Sequence, residues 1–348
     1  MSKSEKPNDK QSSTDDQPVL ALDSPSQLRI SRFEVIKRIG KGGMGEVYLC
    51  RDPGANGVTT PYVALKTIFR DALKDAESIS RFEAEARALE GLNHANIVHL
   101  VEWGKQQGGH ADGMYYMAME YIDGTTIHSL SRSHRLSFPD ILDISIQLAN
   151  GLSATHATGV IHRDIKPANV MVNKKNVAKL IDFGIAKPTV QEFGLDLGDG
   201  FTEDQDFKTK TGIVIGTANY LAPELLRSSS QNAASPLSDI YALGVLIWEM
   251  LNATTPFKAS SFGETMHRIL EENLAWPDAI TDIAPHGFIR LVNRMLSKDP
   301  SKRPQSANKS PTNSSKSKRP PLGPPSSIVD RAWISDCDGR RPPKNNCS

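Results

Sequence analysis

The stretch HRDIKPANVMVNKKNVAKLIDFG, residues 162–184, opens on one polar cluster and closes on another, with Asn169 and Asp182 thirteen positions apart. Either cluster alone reads equally well as a polar turn. Together they place three kinds of group at fixed spacing. Asp164 is suited to accept the proton of an attacking hydroxyl, and Lys166 to steady a transferred phosphoryl group. Asn169 and Asp182 offer the hard oxygen donors that Mg²⁺ prefers, one or two protein oxygens being enough when phosphate supplies the rest.

Working back toward the N-terminus, the same chemistry finds its other parts. RIGKGGMGEVYLCRD, residues 38–52, carries G-x-G-x-x-G at Gly40, Gly42 and Gly45. In a dinucleotide-binding fold the third glycine opens a helix. Here it is followed by Glu46, Val47, Tyr48, Leu49 and Cys50, then the turn-like DPGANG, which suits a strand and a loop. The glycines therefore read as a β-hairpin tip, either a phosphate-holding loop or an ordinary tight turn. Lys66 in VALK follows on a strand, where an ammonium can neutralise α- and β-phosphates, and Glu85 on the next helical stretch can pair with it. Each of these two residues taken singly is a solvated surface charge.

The bulk composition excludes several classes. A formal charge of +1 over 348 residues gives no global reason to propose nucleic acid or membrane as partner. The three cysteines, Cys50, Cys337 and Cys347, lack metal-type spacing and fit a reducing compartment. No apolar run reaches membrane-span length and the N-terminus has no secretory core, so the chain reads as cytoplasmic.

Residues 1–28 are too polar to build a core and read as a disordered leader. Strand-like segments follow (FEVIKRIG, GEVYLC, YVALKTI, IVHLVEW, MYYMAMEYI), interrupted by one helical stretch, SISRFEAEARALEGL. Beyond DGTT the periodicity becomes helical, at FPDILDISIQLANGLSATHATG, LSDIYALGVLIWEML, FGETMHRILEE and HGFIRLVNRMLS. The expectation is an α+β, bilobal fold with a small antiparallel β lobe bearing one helix and a larger helical lobe, and a cleft between them.

The ordered motifs resemble those of the eukaryotic-like (Hanks-type) protein kinases, and GKGGMGEVY, HRDIKPANV and DFGIAK are most similar to the bacterial serine/threonine branch. The resemblance implies a kinase domain over 29–304, with a small lobe 29–119, a hinge 120–124 and a large lobe 125–304. It implies ATP and Mg²⁺, with Mn²⁺ as a substitute, and protein substrates bearing Ser or Thr. The ATP site would comprise Ile39, Gly40, Lys41, Gly42, Gly43, Met44, Gly45, Glu46 and Val47, with Ala64, Lys66, Met119 as gatekeeper, Glu120, Ile122 and Met171. Asp164, Lys166, Lys66 and Glu85 would be catalytic, and Asn169 and Asp182 metal-binding. Leu89, Leu100, His162 and Phe183 would form an apolar column anchored by Asp239, and Glu224 of APE would pair with Arg303. Thr217 would contact Asp164 and Lys166 on the substrate platform. Arg163 before Asp164 implies activation by a phosphate on Thr209 or Thr211. The alternative is an ATP-binding scaffold without turnover, lacking a C-terminal helix.

Two segments depart from that pattern. Residues 189–206 carry six acidic residues and no basic one, which suits a solvated insertion or, alternatively, autoinhibition or recruitment of a basic substrate. Residues 305–348 are rich in Ser, Pro and Lys, with prolines at 311, 320, 321, 324 and 325 that no helix can run through. This tail is expected to be disordered, its native end replaced through a shifted reading frame, unless Ile328, Val329, Trp333 and Ile334 fold back on the large lobe. Uncovered apolar surface under that lobe is the expected result.

Overall fold

The computed structural model describes residues 28–42, 45–55, 60–68, 73, 76–108, 111–133, 136–184, 218–227 and 234–305. Gly43, Met44, the acidic insertion, Thr209, Thr211, Thr217, the leader before residue 28 and the tail after 305 lie outside these residues, as does the side chain of Glu85. The chain divides into two compact units, Met1–Leu73 with Trp103–Ala118, and Lys74–Glu102 with Met119–Ser348.

The first unit is built on a six-stranded sheet: β1 (Arg29–Ile30), β2 (Phe33–Gly42), β3 (Gly45–Arg51), β4 (Tyr62–Ile68), β5 (Leu100–Lys105) and β6 (Tyr115–Glu120), in the order β1-β2-β3-β4-β6-β5. Strands β1 to β4 pair antiparallel with their neighbours. Alternation along β3 and β4 sorts the side chains. Tyr48, Cys50, Val63 and Leu65 are buried in one core with Phe33 and Val35, while Val47, Leu49, Ala64 and Lys66 are half-buried on the opposite face. The divisions between the units fall within β5 and β6. The expected strand IVHLVEW begins only at Leu100, because Ile97 instead makes a parallel bridge to Leu180.

The second unit contains α1 (Ala76–Glu90), α2 (Ile127–Ser133), α3 (Phe138–Ala157), α4 (Pro223–Arg227), α5 (Pro236–Asn252), α6 (Phe262–Glu271), α7 (Asp278–Thr281) and α8 (His286–Met295). A small sheet joins β7 (Gly124–Thr126), β8 (Val170–Asn173) and β9 (Ala178–Leu180), all antiparallel. This sheet and the short helices α2, α4 and α7 were not evident from periodicity.

Helix α3 starts where Ser137 and Asp140 form a capping box, and it buries Ile141, Ile144, Leu148 and Leu152 at spacings of three and four. It packs on α5 and β9. Helix α5 is buried along most of its length. It meets α8 so closely at Gly244 that a Cβ there would lie 3.0 Å from Met295 Cβ. Lys298 closes the C-terminal end of α6, donating to the carbonyls of Ile269 at 2.6 Å and Arg268 at 3.2 Å. Among the described residues of this unit, Val101 and Ile283 are the exposed large hydrophobic side chains, and Leu142, Ile146 and Ala149 along α3 are half-buried.

Candidate active site

The thirteen-residue spacing between Asn169 and Asp182 has a simple structural cause. Strands β8 and β9 form a hairpin, with Val170 paired to Leu180 and Met171 to Lys179. Its two open ends carry Asn169 and Asp182, and the Ile181 N–H donates to Asn169 O at 2.9 Å. The turn is held by Asn173, whose Oδ1 accepts from the N–H groups of Lys175 and Val177 at 2.9 and 3.0 Å. Asn176 takes the left-handed conformation there, φ 59°, which asparagine tolerates. A second clamp comes from Asn96, whose amide donates to Gln147 Oε1 and to Ala178 O, both at 2.9 Å.

Asp164 is 5% exposed. Its carboxylate accepts the Asn169 amide at 2.5 Å and lies 3.2 Å from Lys166 Nζ, and the same Asn169 nitrogen donates to Asp164 O at 2.9 Å. With its nitrogen committed in this way, Asn169 turns its amide oxygen in the other direction. That oxygen and the Asp182 carboxylate, carried on the two ends of one hairpin, are hard donors of the kind that Mg²⁺ takes together with phosphate oxygens. Asp182 has φ 57° and Arg163 φ 66°, so the residues beside the reacting groups sit in left-handed backbone.

Asp239 holds the strained loop from below. It lies in the first turn of α5, where the helix N-terminus favours a carboxylate. Its two oxygens accept the N–H groups of His162 at 2.8 Å and Arg163 at 2.9 Å. His156 of α3 supplies a third contact, Nε2 to Asp239 Oδ2 at 2.8 Å. A carboxylate only accepts, so that ring nitrogen carries the proton. His156 was not anticipated, although a histidine on the buried face of an apolar helix signals the need for a polar partner. Burial holds the His162 imidazole below its ordinary range, and its Nδ1 accepts the Asp164 N–H at 3.3 Å. His162 stacks on Phe183 with ring centroids 4.3 Å apart, and Leu89 and Leu100 are likewise buried in this unit. Gly184 donates to His162 O at 2.8 Å, and a Cβ on it would lie 2.8 Å from Asp164 Cβ, so no larger residue fits.

Glu224 and Arg303 form a bidentate pair, with both N–O distances 2.7 Å. The guanidinium also donates to Leu237 O at 2.8 Å and Ser297 O at 2.9 Å and lies over the Tyr241 ring, tying α4 to α5. Glu120 has its N–H taken by His99 O at 2.9 Å and its carboxylate by Lys179 at 2.6 Å, so a ligand contact there falls to its carbonyl. Ile122 is buried, while Met119 and Met171 are half-buried, Met171 alternating with the core residues Val170 and Val172.

In the first unit, Val47 pairs with Lys66 across β3 and β4, and Leu49 with Ala64, so these side chains share one face. Ile39 and Lys41 are exposed. The glycines divide by cause. A Cβ on Gly45 would fall 1.8 Å from Thr67 O, so the hairpin base itself demands glycine. On Gly40 or Gly42 a Cβ would meet nothing closer than 3.6 Å. The protein alone leaves room at these two positions, and a ligand approaching the backbone would use it, which fits a phosphate cradle. The carboxylate of Glu46 lies on the other face from Val47, with Tyr48.

In the second unit the Asp164 carboxylate, the Asn169 amide and the Lys166 ammonium lie together at the end of the hairpin that bears Asp182. The protein kinase domain family matches residues 33–311, and the chain belongs to that family. It is 36% identical over 286 residues to the serine/threonine-protein kinase pkn3 of Myxococcus xanthus, covering 79% of this chain and 48% of that protein. Serine/threonine-protein kinase PknB of Mycobacterium tuberculosis is 32% identical over 287 residues, with 82% of this chain and 42% of that protein covered. The chain thus spans half or less of the length of these relatives. The solved PknI kinase domain of Mycobacterium tuberculosis shares the fold, with a TM-score of 0.56 at 23% identity over 81% of this chain and 93% of that one.

Proposed function

We propose that the chain is a serine/threonine protein kinase that transfers the γ-phosphoryl group of ATP to Ser or Thr hydroxyls of proteins. The observation that carries this reading is the buried Asp164 carboxylate, held by Asn169 and Lys166 beside the hairpin end that bears Asp182. Asp164 takes the proton of the acceptor hydroxyl as its oxygen bonds to phosphorus and the bond to the bridging oxygen breaks, leaving ADP. Lys166 balances charge on the transferred group, and Lys66 on the α- and β-phosphates. Asn169 and Asp182 would hold Mg²⁺, which supplies neutralisation of phosphate charge, and Mn²⁺ suits the same oxygens. Lys166 and the names of the two relatives support Ser/Thr as acceptor. Glu85 would orient Lys66, Thr217 the acceptor, and phosphate on Thr209 or Thr211 would bind Arg163, a form of control that suits a signalling role.

Among the described residues no helix is long and apolar enough to cross a membrane. The sparse cysteines support the cytoplasm as its location. Incubation with radiolabelled ATP, Mg²⁺ and a generic basic protein should phosphorylate that protein. Asp164→Asn should lower kcat by about 10²–10⁴, and unchanged turnover in that variant would refute the assignment.

A further inference from the structure

Glu46 is the least expected charge in the first unit. It sits on β3, directly after the glycine tip, yet it is 1% exposed. Its carboxylate accepts from Arg38 Nη1 at 2.7 Å and from the Tyr48 hydroxyl at 2.5 Å. Burial, and next the adjoining carboxylate, push the Tyr48 hydroxyl above its ordinary range, so it stays a donor. Taking a carboxylate out of water is unfavourable unless it is paired, and an apolar side chain in the same place would serve a β core at least as well. Core packing therefore does not explain a glutamate here.

The pairing of the strands does. Along β2 and β3 the register runs Arg38 to Tyr48 and then Gly40 to Val47, which leaves Ile39 unopposed in a bulge. Bulges bend and twist a ribbon, and a slip of one residue would reverse which face every later side chain occupies. Arg38 is the last paired residue before the bulge, Tyr48 is its partner, and Glu46 holds both from the far side. The main chain of Glu46 is fastened too, since Thr67 Oγ1 donates to Glu46 O at 3.2 Å from β4. The next pair along is Val47 with Lys66.

We propose that Glu46 is a positioning residue, which acts through Arg38 and Tyr48 to lock the bulge and so to set where the glycine hairpin lies relative to Lys66. This rests on the reading that the hairpin holds ATP phosphates. Glu46 would then govern nucleotide affinity without touching nucleotide.

The test measures ATP dissociation constants by fluorescent-nucleotide titration of the full chain, independent of turnover, together with KM for ATP, kcat and melting temperature. Glu46→Ala should weaken ATP binding about fivefold and raise KM similarly, with kcat changed less than about twofold, the pattern of lost uniform binding. Glu46→Gln, whose amide oxygen can accept from Arg38 while its amide nitrogen donates to the Tyr48 hydroxyl oxygen, should recover most of the affinity, and Tyr48→Phe should weaken it about twofold. Unchanged ATP affinity in Glu46→Ala and Tyr48→Phe, or a loss that Glu46→Gln does not recover, overturns the proposal. If Glu46→Ala fails to fold, Tyr48→Phe decides by the same criterion. A wild-type chain that binds ATP without transferring phosphate, while the variants still lose affinity, sinks the kinase reading and keeps the brace. A wild-type chain that binds no ATP sinks both.

Discussion

At Asp182 the backbone and the side chain make separate demands, and one substitution separates them. The left-handed φ of 57° favours Gly, Asn or Asp. Asp182→Asn keeps a residue that accepts this conformation while removing the charge proposed to hold the metal. Asp182 is half-buried, but the isosteric amide keeps its shape, so the melting temperature should stay within about 3 °C of wild type, a change on the order of 1 kcal/mol. Its Mg²⁺-dependent transfer should fall by about 10²-fold or more, a loss on the order of 3 kcal/mol of transition-state stabilisation. Retained transfer would show that the metal is held elsewhere. The spacing of Asn169 and Asp182 was legible in the sequence because a hairpin brings its ends together, whatever the intervening residues. The turn of Glu46 away from the Val47 face was not legible. Alternation along β3 sets the two residues on opposite faces, but a glycine motif does not show that the regular strand already begins at Gly45.

Among the elements, the joint of α4, α5 and the Arg303 segment depends on a single ion pair. The Arg303 guanidinium is 0% exposed, and Glu224 supplies both of its carboxylate partners. Glu224→Ala would strand a buried charge, costing about 3–5 kcal/mol. At about 2–4 °C per kcal/mol for a domain of this size, thermal melting should fall by roughly 10 °C. A change under about 2 °C would mean that Leu237 O and Ser297 O satisfy the guanidinium unaided. Lys298, at the end of α6, is sensitive to pH instead. Burial lowers its ammonium from 10.5 to about 8. The unfolded chain therefore keeps a proton that the folded protein has lost between those values, and stability rises with pH across that window. Urea unfolding from pH 8 to 10.5 should show wild type gaining stability relative to Lys298→Met, and parallel curves would exclude the effect. The long helices α3 and α5 were readable from their spacing of three and four. The strands of the second sheet were not, because three or four residues carry too little pattern to distinguish them from loop.

For the whole molecule, binding of ATP with Mg²⁺ to the folded chain alone should raise its stability. At a hundredfold excess over Kd the gain is about 2.7 kcal/mol, or roughly 5–10 °C in a thermal scan. ADP should act in the same direction and AMP much less, if the glycine hairpin and Lys66 provide the contacts; equal shifts from all three would place the affinity at adenine. The strand order carries a further consequence for how such a chain is made. Strand β4 has β3 on one side and β6 on the other, yet α1 and β5 intervene before β6 is reached. During synthesis the ribosome releases β4 with one edge open, and that edge stays open until residues 115–118 emerge and dock. A row of unsatisfied N–H and C=O groups is a template for pairing with other chains. The vulnerable interval in the life of this protein therefore falls during translation, between the emergence of Lys66 and that of Tyr116. Slowing elongation over that interval should increase aggregation more than slowing it anywhere later.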